Sequence, residues 1–167
     1  MTEHRRLQTR LGLAYLTATF LPLGLWATFA TRSFYDDFPG FGRRWVAGDG
    51  PYNAHLASDA GVGFLAVGVV MLLAAIWMER RLVQAALVAA FLHGLLHLFF
   101  HLVHPKDDVG SLDALLSNGG LLVGVVLAAI LLVTVTRTPA TSGSREPLPE
   151  LLIDTSGTNE KKGLQSK

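Results

Sequence analysis

The most constraining feature of this sequence is where its charges are not. Residues 11–31, 60–78, 82–105 and 114–136 contain no Asp, Glu, Lys or Arg, while the charges crowd into 3–10, 32–49, 79–81, 106–113 and 137–167, with Asp59 apart. Each uncharged run is predominantly apolar and about twenty residues long, the length that crosses bilayer hydrocarbon at roughly 1.5 Å per residue. Charged residues make up 16% of the 167, against roughly 25% in soluble domains. The chain therefore reads as an integral membrane protein.

Four spans are expected, at about 11–31, 55–78, 82–104 and 112–136. Glu79-Arg80-Arg81 leaves room for no more than a tight reversal, and residues 105–111 impose a second one, so the fold class is all-α: an up-down-up-down four-helix bundle. Arg5, Arg6, Arg10, Arg80, Arg81 and Arg137 gather on one side and Arg32, Arg43, Arg44 and Lys106 on the other. This balance favours both termini inside. A basic start followed by an apolar run also describes a signal peptide, but the run is long for one and Pro22 sits in its middle. Pro22 is expected to kink the first span and free the carbonyl of Ala18. Small residues at helical spacing, Gly61 and Gly68 on the second span and Gly120, Gly124 and Ala128 on the fourth, are expected to permit close helix approach within the bundle or toward a partner.

The outer loop, residues 32–54, holds six of the fifteen aromatics: Phe34, Tyr35, Phe38, Phe41, Trp45 and Tyr52. Phe38, Phe41 and Trp45 follow Asp37 and Pro39 at helical spacing, so a short interfacial helix over the outer mouth is expected, although Gly40 and Gly42 weaken it. The tail, residues 137–167, is polar and aperiodic and is expected to be disordered on the inner side. Its apolar island, 147–153, reads as a linker with incidental leucines more readily than as a docking motif.

Chemistry concentrates on the third span. Taking His93 as zero, His97, His101 and His104 fall at about 40°, 80° and 20° around the helix. Four of the six histidines thus share one face, continued inward by Ala86 and Ala90, while Val88, Leu95, Phe99 and Leu102 lie opposite and face lipid. On the second span His55 and Asp59 are four apart, with Gly63 and Ala66 extending their face inward. Antiparallel pairing would bring Asp59, His97 and His101 into one layer near the outer surface. Asp113, Ser117 and Asn118, with Thr28, Thr31, Asp36 and Asp37, could complete a polar pocket. Such a set suits a divalent zinc, iron, copper or manganese ion: His97, His101 and Asp59 as ligands, His55 or His104 completing the shell, His93 as a deeper proton relay, and Tyr35, Asp36 and Asp37 at the entrance. A structural polar network and b-type haem ligation remain alternatives, the latter needing two facing histidines and room for the ring.

Several classes are excluded. Without cysteine there are no thiolate metal sites, iron–sulfur clusters or disulfides. A net charge of +1 gives no footprint for nucleic acid. Nucleotide-binding loops, nucleophile elbows and zincin motifs are absent.

The stretch Ser33-Phe34-Tyr35-Asp36-Asp37-Phe38-Pro39-Gly40, then Gly42-Arg43-Arg44-Trp45-Val46, Asp49-Gly50-Pro51-Tyr52-Asn53, His55-Leu56, Asp59, His97-Leu98 and His101 resembles a family of small uncharacterised bacterial four-helix membrane proteins. In architecture alone the chain also looks like the broader DoxX-like group. The specific resemblance covers about a third of the chain, and Ala54 stands where the family commonly has an acidic residue. It implies a multi-pass protein of the bacterial inner membrane whose outer loop and histidine cluster act as one unit, without implying an activity. The functions to weigh are therefore a metal-binding or proton-handling membrane protein, a non-catalytic accessory subunit packing on a larger complex or on itself, and a proton-coupled carrier subunit.

Overall fold

A computed structural model describes residues 3–105 and 110–137. The helices are α1 (Glu3–Phe29), α2 (Thr31–Asp37), α3 (Ala54–Trp77), α4 (Arg80–Val103) and α5 (Ser111–Arg137), and a two-stranded hairpin joins β1 (Pro39–Gly40) to β2 (Arg43–Arg44). Among the described residues the regular structure is helical apart from this hairpin, and α1, α3, α4 and α5 are each long and apolar enough to cross a membrane. The first of these begins earlier than expected, because the basic residues Arg5, Arg6 and Arg10 are themselves helical, and it runs unbroken through Pro22. The expectations for residues 138–167 and for Lys106, Asp107 and Asp108 lie outside the described residues.

The helices associate as two close pairs, α1 with α3 and α4 with α5, joined by fewer contacts between α3 and α4 and fewer still between α1 and α5. Glycine draws the first pair together. A Cβ on Gly61 would come within 2.5 Å of the Thr28 nitrogen, one on Gly68 within 3.0 Å of the Leu21 nitrogen, and one on Gly24 would collide with the backbone of Leu65. As the residue number rises on α1 it falls on α3, so the two helices run in opposite directions. Without a hydrophobic drive between helices in lipid, such backbone approach is what dispersion can use.

The molecule has two unlike ends. At the turn end, Met78 adopts a left-handed conformation (φ 52°) between α3 and α4. Two arginines there close helix C-termini: Arg10 donates to the carbonyls of Ala75 (3.1 Å) and Ile76 (3.4 Å), and Arg80 to that of Thr136 (3.0 Å). A cation facing the last carbonyls satisfies acceptors that the helix leaves open. The main core lies in this half, built from Leu13, Leu16 and Phe20 of α1, Met71 and Ala74 of α3, Val83, Ala86, Leu87 and Ala90 of α4, and Ala128, Leu131 and Val135 of α5.

The other end carries a cap. Phe34 is buried against Trp26, and the ring chain continues through Phe38 to Trp45. The expected helix over Phe38, Phe41 and Trp45 is instead the hairpin, with Pro39 opposite Arg44 and Gly40 opposite Arg43. The glycines decide this. Gly40 (φ 97°), Phe41 (φ 58°) and Gly42 (φ 76°) all take positive φ, and a two-residue turn with both central residues there matches the twist of an antiparallel hairpin, whereas a right-handed helix excludes it. Phe41, at the tip, is fully exposed.

Candidate functional site

The histidines of α4 form a row on the face that looks between the two helix pairs. His93 and His97 are stacked, with ring centroids 5.9 Å apart and planes 10° from parallel, and His101 follows with its centroid 4.8 Å from that of His97. The Nε2 atoms of His97 and His101 stand 3.2 Å apart. One helical turn between successive members produces the row. Bulky Val88, Leu95, Phe99 and Leu102 are exposed on the far side, and Ala86 and Ala90 are buried on the near side, as the helix-face argument expects.

The walls come from aromatic rings on other helices. Phe64 of α3 meets His93 edge-on at 4.7 Å and His97 at 5.9 Å, and Phe20 of α1 meets His93 at 5.4 Å. Among the described residues His93 Nε2 is shut off from solvent with no hydrogen-bond partner, as are Thr28 Oγ1 and Asn118 Oδ1. Leaving such a group unpaired costs about 1–3 kcal/mol, and Thr28 carries that cost at the tight contact with Gly61.

The remaining expected ligands stand elsewhere. His104 ends α4, its Nδ1 donating to the Phe100 carbonyl at 3.1 Å and its ring stacked on Phe100. His55 and Asp59 pair with each other at 3.4 Å, their side chains 86% and 62% exposed. Gly63 and Ala66 share that exposed face. The rotation of α3 explains this: Gly61 and Gly68, which must face α1, lie about 200° and 180° around the helix from Asp59. Close packing at the glycines turns Asp59 outward, and Phe64, within about 60° of Gly61, meets the imidazoles in its place. Among the described residues no group of three or more His, Cys, Asp or Glu side chains converges in a way that could hold a metal ion. His93, His97 and His101 share one face of α4.

Tyr35, Asp36 and Asp37 are engaged within the cap. The Tyr35 hydroxyl donates to the carbonyls of Gly50 and Ala47, Arg32 donates to Asp36 at 2.6 Å, and Ser33 donates to Asp37 at 3.1 Å. The hydrogen bond to Asp36, with its charge, holds the Arg32 guanidinium even further above neutrality than usual. Thr31 and Tyr52 share a hydrogen bond of 2.9 Å, and Arg32 lies over the Tyr52 ring. An ion pair between Arg43 and Asp113 fastens the hairpin to the start of α5, so the cap bridges the two helix pairs above the histidine row.

Within the bundle Gly120 and Gly124 do not stand at a close approach, since a Cβ built on either meets nothing within 4 Å among the described residues, and of the expected small-residue stripe it is Ala128 that is fully buried. Phe20, Phe64 and the Arg43–Asp113 pair were not anticipated as parts of the site. Phe64 was recoverable from its place on the Gly61/Gly68 face, whereas nothing local to Phe20 or Arg43 announces its partner. Comparison with protein-family models, curated proteins and solved structures finds no match.

Proposed function

We propose that this chain is a four-span membrane protein, an up-down-up-down bundle of a bacterial inner membrane, whose His97–His101 pair takes up one cation near the outer surface: a proton or a divalent transition-metal ion. The turn end, with Arg5, Arg6, Arg10, Arg80, Arg81 and Arg137, is then cytoplasmic, and the cap is external.

The observation that carries the reading is the 3.2 Å approach of the two Nε2 atoms. Two imidazole nitrogens bonded to one tetrahedral zinc at about 2.0–2.1 Å stand about 3.3 Å apart. The same approach suits a proton held between one ring's N–H and the other's lone pair. In either case the pair accepts one positive charge more readily than two, because a second charge would sit within a few ångströms of the first in a poorly hydrated setting. In this reading His93, one turn further in, would pass a proton inward. Zinc, iron, copper and manganese all fall within the chemistry of imidazole and carboxylate donors. A purely accessory role is the second reading, and the converging imidazoles favour the first.

Titration of the purified protein in lipid nanodiscs with Zn2+, and separately with acid while the imidazole resonances are followed, tests this. One equivalent of zinc or a strongly split two-step protonation of the pair is expected, with His97→Ala and His101→Ala each weakening zinc uptake at least tenfold. Two independently titrating imidazoles together with no zinc uptake would overturn it.

A further inference from the structure

Ionisable side chains within membrane spans ordinarily face the bundle interior or a water-filled cavity. His55 and Asp59 do the opposite. They project outward from α3, 3.4 Å apart, and Asp59 lies between one and two turns inside a helix that begins at Ala54. The 24 residues of α3 span about 36 Å against about 30 Å of hydrocarbon, so Asp59 falls at the outer edge of the apolar layer. The neighbours of α3 leave this face open: Gly61 and Gly68 turn toward α1, and Phe64, about 140° around the helix from Asp59, turns toward α4.

The open face continues inward as a seam. His55, Asp59, Val62, Ala66, Val69 and Leu73 follow one another at alternating steps of four and three residues, the repeat of about 3.5 along which two helices wind around each other. All but the half-buried Leu73 are exposed. Gly63 flanks the seam, and a Cβ built on it would meet nothing within 4 Å. A glycine inside a helix forfeits stability relative to alanine. Among the described residues no neighbour requires one at this position, whereas a second helix crossing near Ala66 would use the room.

We infer that α3 is the contact helix of a parallel dimer, in which a second copy of this chain covers the seam and supplies further partners to His55 and Asp59. Two copies inserted in the same sense are related by an axis along the membrane normal, so like residues meet at the same depth. His55 Nε2 faces its own Asp59, which leaves Nδ1 for the carboxylate of the other copy. Two imidazolium and two carboxylate groups then alternate in a ring of zero net charge, each paired on both sides. A patch with one acid and one base in adjacent layers is complementary to itself, which is why the occupant is a second copy rather than a helix carrying a single charge. The dimer rests on the four-span reading and not on a cation at His97 and His101.

Cysteine cross-linking tests this, since the chain has no cysteine of its own. Single-cysteine variants in lipid vesicles, at low protein-to-lipid ratio, are oxidised with iodine and the disulfide dimer is read on a non-reducing gel. Val62→Cys, Ala66→Cys and Val69→Cys are expected to cross-link at least tenfold more than Leu72→Cys on α3 or Val123→Cys on α5, positions that are exposed but off the seam. In the Ala66→Cys background, Asp59→Asn and His55→Gln should each reduce cross-linking at least fivefold. Exchanging the two residues, His55→Asp with Asp59→His, should restore it, which separates loss of the pairing from misfolding. His97→Ala should change nothing. Equal cross-linking on and off the seam, or seam cross-linking untouched by Asp59→Asn, would overturn the dimer. Release of the protein from the vesicles by alkaline extraction would instead overturn the four-span reading beneath it.

Discussion

At the scale of single residues, the glycines divide into two kinds that the sequence does not distinguish. Gly24, Gly61 and Gly68 stand against backbone, which cannot yield, while Gly120 and Gly124 face open space. Gly61→Ala is expected to destabilise the fold by about 1–3 kcal/mol, the usual penalty for overpacking, and Gly124→Ala to be neutral or to stabilise by about 0.5–1 kcal/mol through helix propensity. Reversible unfolding in mixed micelles checks both. The same contrast shows what was legible. Four-residue spacing and the absence of charge suffice to place His93, His97 and His101 on an inward face, because helix geometry alone sets that. The outward turn of Asp59 was harder to read: it depends on which glycine face wins the contact with α1, and the placement of Asp59 with His97 required two nearly opposite faces of α3 to be inward together. Asp59→Asn is accordingly expected to change zinc uptake less than threefold, measured in the same titration.

At the scale of elements, the cap is a small structure in its own right. Its charges are spent locally, Arg32 on Asp36 and Arg44 on the Asp36 carbonyl, and it is joined to α5 by Arg43 and Asp113. That ion pair is about two-thirds shielded on both sides, with 33% and 29% exposure, so it counts for more than an open surface pair. Arg43→Gln is expected to raise amide exchange across residues 38–46 at least fivefold while leaving α3 unchanged, as hydrogen-exchange mass spectrometry can measure. The long helices were readable because charge-free apolar runs of that length leave few other choices, whereas the hairpin was missed because helical spacing of Phe38, Phe41 and Trp45 was weighed above two glycines. Positive φ at Gly40 and Gly42 outweighs aromatic periodicity, since the backbone must be allowed before a face can form.

At the scale of the whole molecule, the buried core and both arginine caps belong to the turn end, while the imidazoles and the orphaned polar atoms lie from mid-length toward the cap. The chain contains no cysteine, so single-cysteine variants report topology cleanly. Gly48→Cys is expected to react with an impermeant maleimide added outside intact cells and Glu79→Cys to react after the membrane is breached; the reverse pattern would invert the orientation. The concentration of Leu13, Met71, Leu87 and Leu131 at one end fastens the bundle at its turn end. The cap half is held by fewer buried side chains, so loss of the Arg43–Asp113 pair is expected to loosen that end first while the turn end stays closed.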